Sequence, residues 1–244
     1  MIFNGEVGII IQARMGSTRL PSKIMLNVQG KPLFKYQLER LSSLTYPVYI
    51  ATTTNPNDKT IVDFAISNNH RYFQGSEDNV LERYFECAKF FKIGTIVRIT
   101  SDCPLIDADI INQGISEFLE AQNPQLFLSN TLERTFPRGC DFEIFSFEQL
   151  QFAYENATEV SDKEHVTPYI WKNKSGRTII RQLKQDKDSS TYRLTLDTPE
   201  DLELLSILIE KYKAHTLNMD QICDVMGNNP SLSLINGHIE QKKA

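Results

Sequence analysis

The stretch Val7-Gly8-Ile9-Ile10-Ile11-Gln12-Ala13-Arg14-Met15-Gly16-Ser17-Thr18-Arg19-Leu20-Pro21-Ser22-Lys23 passes abruptly from an apolar run into a loop of glycine, hydroxyl residues, two arginines and a lysine. The run is too short to span a membrane and has the length of a buried strand. A strand buried on both faces belongs to a parallel sheet, where ligands sit beyond the carboxyl ends of the strands. The loop therefore falls where a ligand would be, and its chemistry suits a polyphosphate. Gly16 lets the backbone come close, Ser17 and Thr18 supply hydroxyls, and Arg14, Arg19 and Lys23 supply positive charge. A solvated basic loop would read the same on composition. The loop is neither a Walker loop, lacking the Gly-Lys-Ser/Thr ending, nor a dinucleotide fingerprint, having one glycine.

The rest of the chain narrows the class. Its 244 residues suffice for a sizeable core. A net charge of -5 argues against broad nucleic-acid binding, so any anion must be held by a local cluster. The four cysteines, Cys87, Cys103, Cys140 and Cys223, are scattered without a Cys-x-x-Cys pair. That speaks against structural zinc or a disulfide framework and fits a reducing, cytoplasmic setting. The first residues show no basic start of a signal peptide, and no apolar run reaches membrane-spanning length.

Strands and helices alternate. Val48 to Thr53 reads as the second strand, after a helix carrying Leu33, Phe34, Leu38 and Leu41. Asn55 to Asp58 is turn chemistry, with Asp58 at a helix start. This βαβα rhythm predicts a mostly parallel sheet with covering helices. Arg71 to Gln74 is a short strand, followed by the polar loop Gly75 to Asn79 and a helix burying Leu81, Tyr84, Phe85, Ala88 and Phe91. Thr95 to Thr100 is a β-branched strand running into Ser101-Asp102-Cys103-Pro104-Leu105-Ile106-Asp107. Asp102 thus falls at a strand end, either as a metal-holding carboxylate beside a polyphosphate or as a turn or cap residue. Asp107 and Asp109 read as cap and first-turn residues. Leu126 to Ser129 is a strand candidate. Asp141 and Glu143 would share one face of another. Ser146 and Gln149 look like a capping box. Arg177 to Gln185 reads as an antiparallel strand, and Tyr192 to Asp197 as a further strand ending in a carboxylate. Thr198-Pro199-Glu200-Asp201 is a helix start. Asp197 and Asp102 share one context, so they could meet over one metal.

With these motifs in order, the sequence from about Ile9 to about Leu205 resembles the sugar-acid cytidylyltransferases, the KDO and acylneuraminate enzymes, and most closely their SpsF-type spore-coat polysaccharide branch. The loop Gln12 to Lys23 is close to the nucleotide-binding signature of the KDO enzymes. Ser22 and Ser101 stand where relatives often have glycine. The resemblance implies a three-layer α/β/α, Rossmann-like nucleotide-diphospho-sugar-transferase fold. It would form a single domain over 1–236, with a small antiparallel substrate and dimerisation subregion at about 130–190 and a loose tail over 237–244.

It also implies a Mg²⁺-dependent transfer of CMP from CTP to a sugar or sugar-acid hydroxyl, releasing pyrophosphate for surface polysaccharide synthesis, by a homodimer. By position, Arg14 and Lys23 match the phosphate-contacting cations, and Asp102 and Asp197 the Mg²⁺ carboxylates. Gln12, Ala13, Gly16 and Ser17 match the nucleotide loop, and Ser76, Asp78 and Asn79 the base and ribose pocket. Arg138, Asp141, Glu143 and His165 fall where the acceptor should sit. Two other functions remain open: a glycosyltransferase using a finished nucleotide sugar, for which Asp107-Ala108-Asp109 supplies an Asp-x-Asp string, and a non-catalytic nucleotide-binding subunit.

Overall fold

In the computed structural model, which describes residues 5–240, the apolar run forms strand β1 (Glu6–Gln12). Its three isoleucines are fully buried and divide between two cores: Ile9 and Ile11 pack on one face, Ile10 on the other. Alternate strand residues point to opposite faces, so both sides of the sheet are covered. A 3-10 turn (Lys23–Met25), the short ribbon β2 (Asn27–Val28) and β3 (Lys31–Pro32), and helix α1 (Leu33–Leu41) lead to β4 (Val48–Thr53). Helix α2 (Lys59–Ser67) leads to β5 (Arg71–Gly75), and α3 (Val80–Phe90) to β6 (Ile93–Thr100). There follow α4 (Ala108–Glu120), β7 (Leu126–Ser129), β8 (Glu143–Ser146), α5 (Phe147–Asn156), α6 (Val160–His165) and α7 (Pro168–Trp171). The chain continues through β9 (Ile179–Gln182), α8 (Pro199–Glu210), α9 (Met219–Asn228) and α10 (Pro230–Asn236).

Seven strands form one sheet in the order β5-β4-β1-β6-β8-β7-β9. All run parallel to β1 except β8, which is antiparallel to both β6 and β7. The chain moves outward from β1 to β4 and β5, then returns to the other side of β1 for β6. Loops leaving β1 and β6 therefore diverge, and the crevice between them is where a doubly wound sheet takes its ligand. Residues of α1, α2, α4 and α8 close one face, and α3 and α5 close the other. The aromatic stripe of α3 is core, as its spacing implies: Tyr84 and Phe85 are buried.

The antiparallel element lies in the expected segment, but as one reversed strand of the main sheet. Two strand expectations are corrected. Arg177 to Gln185 contributes β9, which runs parallel to β7. Tyr192 to Asp197 forms no sheet strand, because its backbone is taken up by two loops. The Arg138 amide donates to Tyr192 O at 3.0 Å, Leu194 donates to Arg138 O at 2.7 Å, and Leu196 donates to Asp102 O at 2.9 Å. The segment thus ties the loops before β8 and after β6 together. The helix starts read from sequence hold. Thr198 and Asp201 form a reciprocal capping box with Pro199 in the first turn, and Ser146 accepts from the Gln149 amide. Of the expected tail, the Gly237 and Ile239 amides close the end of α10, and 241–244 lie outside the described residues. Among the described residues no helix is long and apolar enough to cross a membrane.

Gly139 adopts a φ of 99°, and a Cβ there would stand 2.5 Å from the Leu194 carbonyl oxygen. Gly139→Ala is expected to cost about 3 kcal/mol, since left-handed strain and a backbone clash add. Gly176 has a φ of 70° but open space around it, so Gly176→Ala should cost only about 1 kcal/mol. Denaturant unfolding of the two variants checks the ordering.

Candidate active site

The loop after β1 is shaped by its own backbone and by a buried carboxylate. The Ala13 amide continues the ladder onto Ala51 O, and the Ser17 and Ser22 amides both donate to Met15 O. Ser22 has a φ of 56°, a left-handed conformation that glycine adopts without cost and serine does not. Asp58, read from sequence as a helix-start residue, does precede α2, but its side chain accepts the Met15 amide at 2.6 Å and the Thr53 hydroxyl. It is buried, and it makes no side-chain cap bond to α2. Asp58 thereby fixes the loop, a role no short-range pattern signals.

Three chain segments converge at Lys23. Its Nζ donates to Asp102 Oδ2 at 2.9 Å and to Asp197 Oδ1 at 2.7 Å. The other Asp102 oxygen accepts from the Thr100 hydroxyl at 2.6 Å. Asp197 Oδ2 lies 3.3 Å from Arg19 Nη2 and 3.2 Å from Arg193 Nη2. Arg193 is itself clamped by Asp201, Nε to Oδ1 at 2.8 Å and Nη2 to Oδ2 at 2.9 Å. Asn236 of α10 donates to Asp201 Oδ1 and to the Arg193 carbonyl. Burial pushes the Lys23 ammonium down, but Asp102 and Asp197 outweigh it and leave its pKa raised. Burial likewise pushes the Asp102 carboxyl up, and Lys23 with the Thr100 hydroxyl reverses this, leaving it below the ordinary value.

Two cavities meet at these acids. The first, of about 330 Å³, is lined by Gln12, Ala13, Arg14, Gly16, Ser17 and Lys23 among others. The second, of about 290 Å³, is lined by Arg98, Thr131, Arg138, Asp141, Glu143 and Thr195 among others. Thr100, Asp102 and Asp197 belong to both. Arg98 joins the two: its Nη2 donates to Gln12 Oε1 at 3.1 Å and its Nη1 to Glu143 Oε2 at 2.6 Å. Glu143 also accepts from the Thr167 hydroxyl at 3.0 Å. Asp141 is paired with Arg134 at 2.5 Å. Arg138 is half-buried, and its guanidinium makes no hydrogen bond or ion pair among the described residues; burial and the neighbouring Arg134 outweigh the attraction of Asp141 and leave its pKa lowered.

Four sequence expectations are placed elsewhere. His165 lines the first cavity rather than the second. It precedes Val166, whose φ of 71° and ψ of -54° form a γ-turn closed by the Thr167 amide on His165 O at 2.9 Å. A buried β-branched residue in that conformation is strained by about 1–3 kcal/mol. Ser76, Asp78 and Asn79 do not line the first cavity. Ser76 Oγ accepts the Asn79 amide, Asn79 Oδ1 accepts the Glu82 amide to cap α3, and Asp78 is exposed. Instead Val80 and Arg83 of α3 reach the cavity wall. Sequence reading missed Arg83 because a single arginine on an amphipathic helix carries no signal. The Asp107-Ala108-Asp109 string is structural: Asp107 caps α4 through the Asp109 amide and accepts the Met219 amide at 2.6 Å. All four cysteines are free and buried.

A reversed strand in a parallel sheet, with a cation-lined crevice at its switch point, is the architecture of nucleotidyltransferases of the nucleotide-sugar-transferase fold. The chain belongs to the cytidylyltransferase family, whose model matches residues 8–222. A cytidylyltransferase structure from Leptospira borgpetersenii is 35% identical, with a TM-score of 0.90 over 98% of this chain and 100% of that one. The spore coat polysaccharide biosynthesis protein SpsF of Bacillus subtilis is 27% identical over 234 residues, 92% of this chain and 95% of its own. CMP:2-keto-3-deoxy-manno-octonic acid synthetase complexed with CTP shares the fold, with a TM-score of 0.63 at 17% identity over 85% of this chain and 99% of that one.

The cluster makes a pH prediction. The raised Lys23 contributes stability below the ordinary ammonium value and loses it only as pH rises through its own. The lowered Asp102 contributes above the ordinary carboxylate value and loses it as pH falls through its own. The contribution is therefore level between about pH 5 and pH 10. Lys23→Met removes the main offset to Asp102 burial and should cost about 3 kcal/mol at neutral pH. Its Asp102 carboxyl then rises above the ordinary value, so the variant's melting temperature should climb as pH falls from about 8 to about 5, while the parent's stays level.

Proposed function

We propose that this chain transfers CMP from CTP to a hydroxyl of an anionic sugar, a sugar acid, releasing pyrophosphate. The observation that carries this reading is the pair of cavities sharing Thr100, Asp102 and Asp197, with Lys23 bridging the two acids. A triphosphate in the first cavity would meet Arg14, Arg19 and Lys23, with the Gly16 and Ser17 loop against it. An acceptor in the second would approach from the other side of the shared wall, as in-line displacement requires. The acceptor hydroxyl oxygen forms a bond to the α-phosphorus, its proton passing to solvent, as the bond to the bridging oxygen of pyrophosphate breaks. Arg14 and Lys23 offset charge on the departing pyrophosphate.

The residues present fit Mg²⁺. Asp102 and Asp197 already share one cation, the Lys23 ammonium, and Mg²⁺ is commonly bound by one or two carboxylates plus substrate phosphates. Among the described residues no three metal-ligating side chains gather, which suits an ion brought in with the nucleotide. When bound, Mg²⁺ would supply phosphate charge neutralisation and acidify the attacking hydroxyl.

Arg138 supports a sugar acid over a neutral sugar. A half-buried guanidinium lining the second cavity, with the nearby Asp141 already paired to Arg134, calls for an anion on the ligand. The homodimer belongs to the same reading. Its support is edge strand β9, which exposes Ile179 and Ile180 within the 130–190 segment. A cytoplasmic setting is supported by the four free thiols.

A pyrophosphate-release screen of the four nucleoside triphosphates against sugar acids and neutral sugars tests the function. Release with CTP, dependent on acceptor and Mg²⁺, is expected. Release of free nucleotide from a nucleotide sugar instead would overturn it. Asp102→Asn and Asp197→Asn should each abolish turnover with the fold retained by circular dichroism; near-parental activity in either would refute the acid assignment. Arg138→Gln should raise the acceptor KM about 10- to 100-fold with kcat little changed, the loss of a charge-assisted pair. An unchanged KM would remove the argument for an anionic acceptor.

A further inference from the structure

Gln37 is fully buried on α1, among Leu33, Phe34, Leu38 and Leu41. Its Nε2 donates to the Thr100 carbonyl at 2.7 Å. Its Oε1 is buried with no partner among the described residues. A carbonyl only accepts, so the amide nitrogen is the end that faces Thr100 and the oxygen is the end left over. A buried acceptor without a donor costs more than one neutral hydrogen bond contributes. Folding alone would favour Met or Leu at this position, since either fills similar space with no hydrogen bond to satisfy. Gln37 lines neither of the two cavities, so a ligand contact does not explain it.

What the amide holds is one peptide unit at the end of β6. The N–H of the Thr100–Ser101 peptide, on Ser101, donates to Gln12 O at 3.2 Å. Its C=O, on Thr100, accepts from Gln37. A planar peptide pinned at both polar ends, by β1 and by α1, cannot tilt. The Thr100 hydroxyl is then placed to donate to Asp102 Oδ1 at 2.6 Å, which leaves Oδ2 to Lys23 at 2.9 Å. On the far side the chain is held again, the Asp102 carbonyl accepting the Leu196 amide at 2.9 Å and the Thr195 hydroxyl at 3.1 Å. Asp102 thus sits between two fixed points, and Gln37 secures the first of them from outside both cavities. We propose that Gln37 is a positioning residue: by holding the Thr100 carbonyl it aims the Asp102 carboxylate at the wall the two cavities share. This rests on the reading of Asp102 as an acid of the transfer reaction. A displacement of about 1 Å at such a group slows a transfer about 100-fold, while contacts made elsewhere on nucleotide and acceptor persist.

Steady-state pyrophosphate release from CTP with the sugar acid selected by the screen above, measured beside thermal melting, tests this on the parent, Gln37→Met and Gln37→Glu. Gln37→Met should melt within about 3 °C of the parent, since one bond is lost and one orphaned acceptor is removed. Its kcat should fall about 10- to 100-fold, with KM for CTP and for acceptor each within about 2-fold. Gln37→Glu, isosteric and kept protonated by burial, retains a donor for the Thr100 carbonyl and should recover most of the rate. Combined with Thr100→Val, Gln37→Met should cost less than the product of the two single losses, as coupled neighbours do. Gln37→Leu provides the reading if the methionine variant does not fold. A parental kcat in the apolar variant would overturn the proposal. So would a rate loss that follows a fall in melting temperature and is not recovered in Gln37→Glu, losses that multiply in the double variant, or failure of both apolar variants to fold, which would make Gln37 a packing residue. If the parent instead releases free nucleotide from a nucleotide sugar, the CTP reading falls, and the same comparison on that reaction still decides on Gln37. A parent with no turnover takes both down.

Discussion

Two carboxylates facing one crevice, each mostly withdrawn from water, are the constraint around which this molecule is built. Burial drives a proton onto Asp102, and Lys23 and the Thr100 hydroxyl reverse this. The chain answers with cations from separate places: Lys23 between the two acids, and Arg19 and Arg193 on the free side of Asp197. Arg193 is in turn fixed by Asp201, whose oxygens also accept the Asp197 and Thr198 amides. One aspartate thus starts a helix, clamps an arginine and orients the backbone that carries Asp197. Through Asn236, even the last helix bears on the site.

This arrangement also explains why the two cavities abut. The loop after β1 and the loop after β6 part at the switch point of the sheet, and the Tyr192 to Asp197 segment threads between the latter and the approach to β8. Asp102 and Asp197 stand on the seam. Arg98, reaching from β6 to Gln12 on one side and Glu143 on the other, ties the floors of the two cavities into one hydrogen-bonded unit. Thr167 and the strained turn at Val166 carry that unit to His165.

Much of this was legible in the sequence because its signals are local. The isoleucine run, the strand-to-loop junction at Gln12, the Asp102 junction and the Thr198-Pro199 helix start each sit within a few residues, and each is where it was expected. The partnership of Asp102 with Asp197 was legible only as an analogy of context, and the bridging lysine between them follows from topology. What escaped is what depends on tertiary contact. Asp58 looks like any turn aspartate until Met15 is folded onto it. The segment before Asp197 has strand composition, yet two loops claim its hydrogen bonds first. Ser76 and Asn79 have the polarity of ligand contacts but spend it on capping α3. His165 reads alike for either cavity, since three residues of turn decide which way it faces.

The single reversed strand has a geometric corollary. Because β8 runs against its neighbours, Glu143 enters the crevice from the beginning of a strand, whereas the loops after Gln12 and Thr100 enter from strand ends. The lead-in to β8, which carries Thr131, Arg138 and Asp141, is laced to the loop after β6 through the Tyr192 to Asp197 segment, so a change in its length would be felt at Asp102 as well.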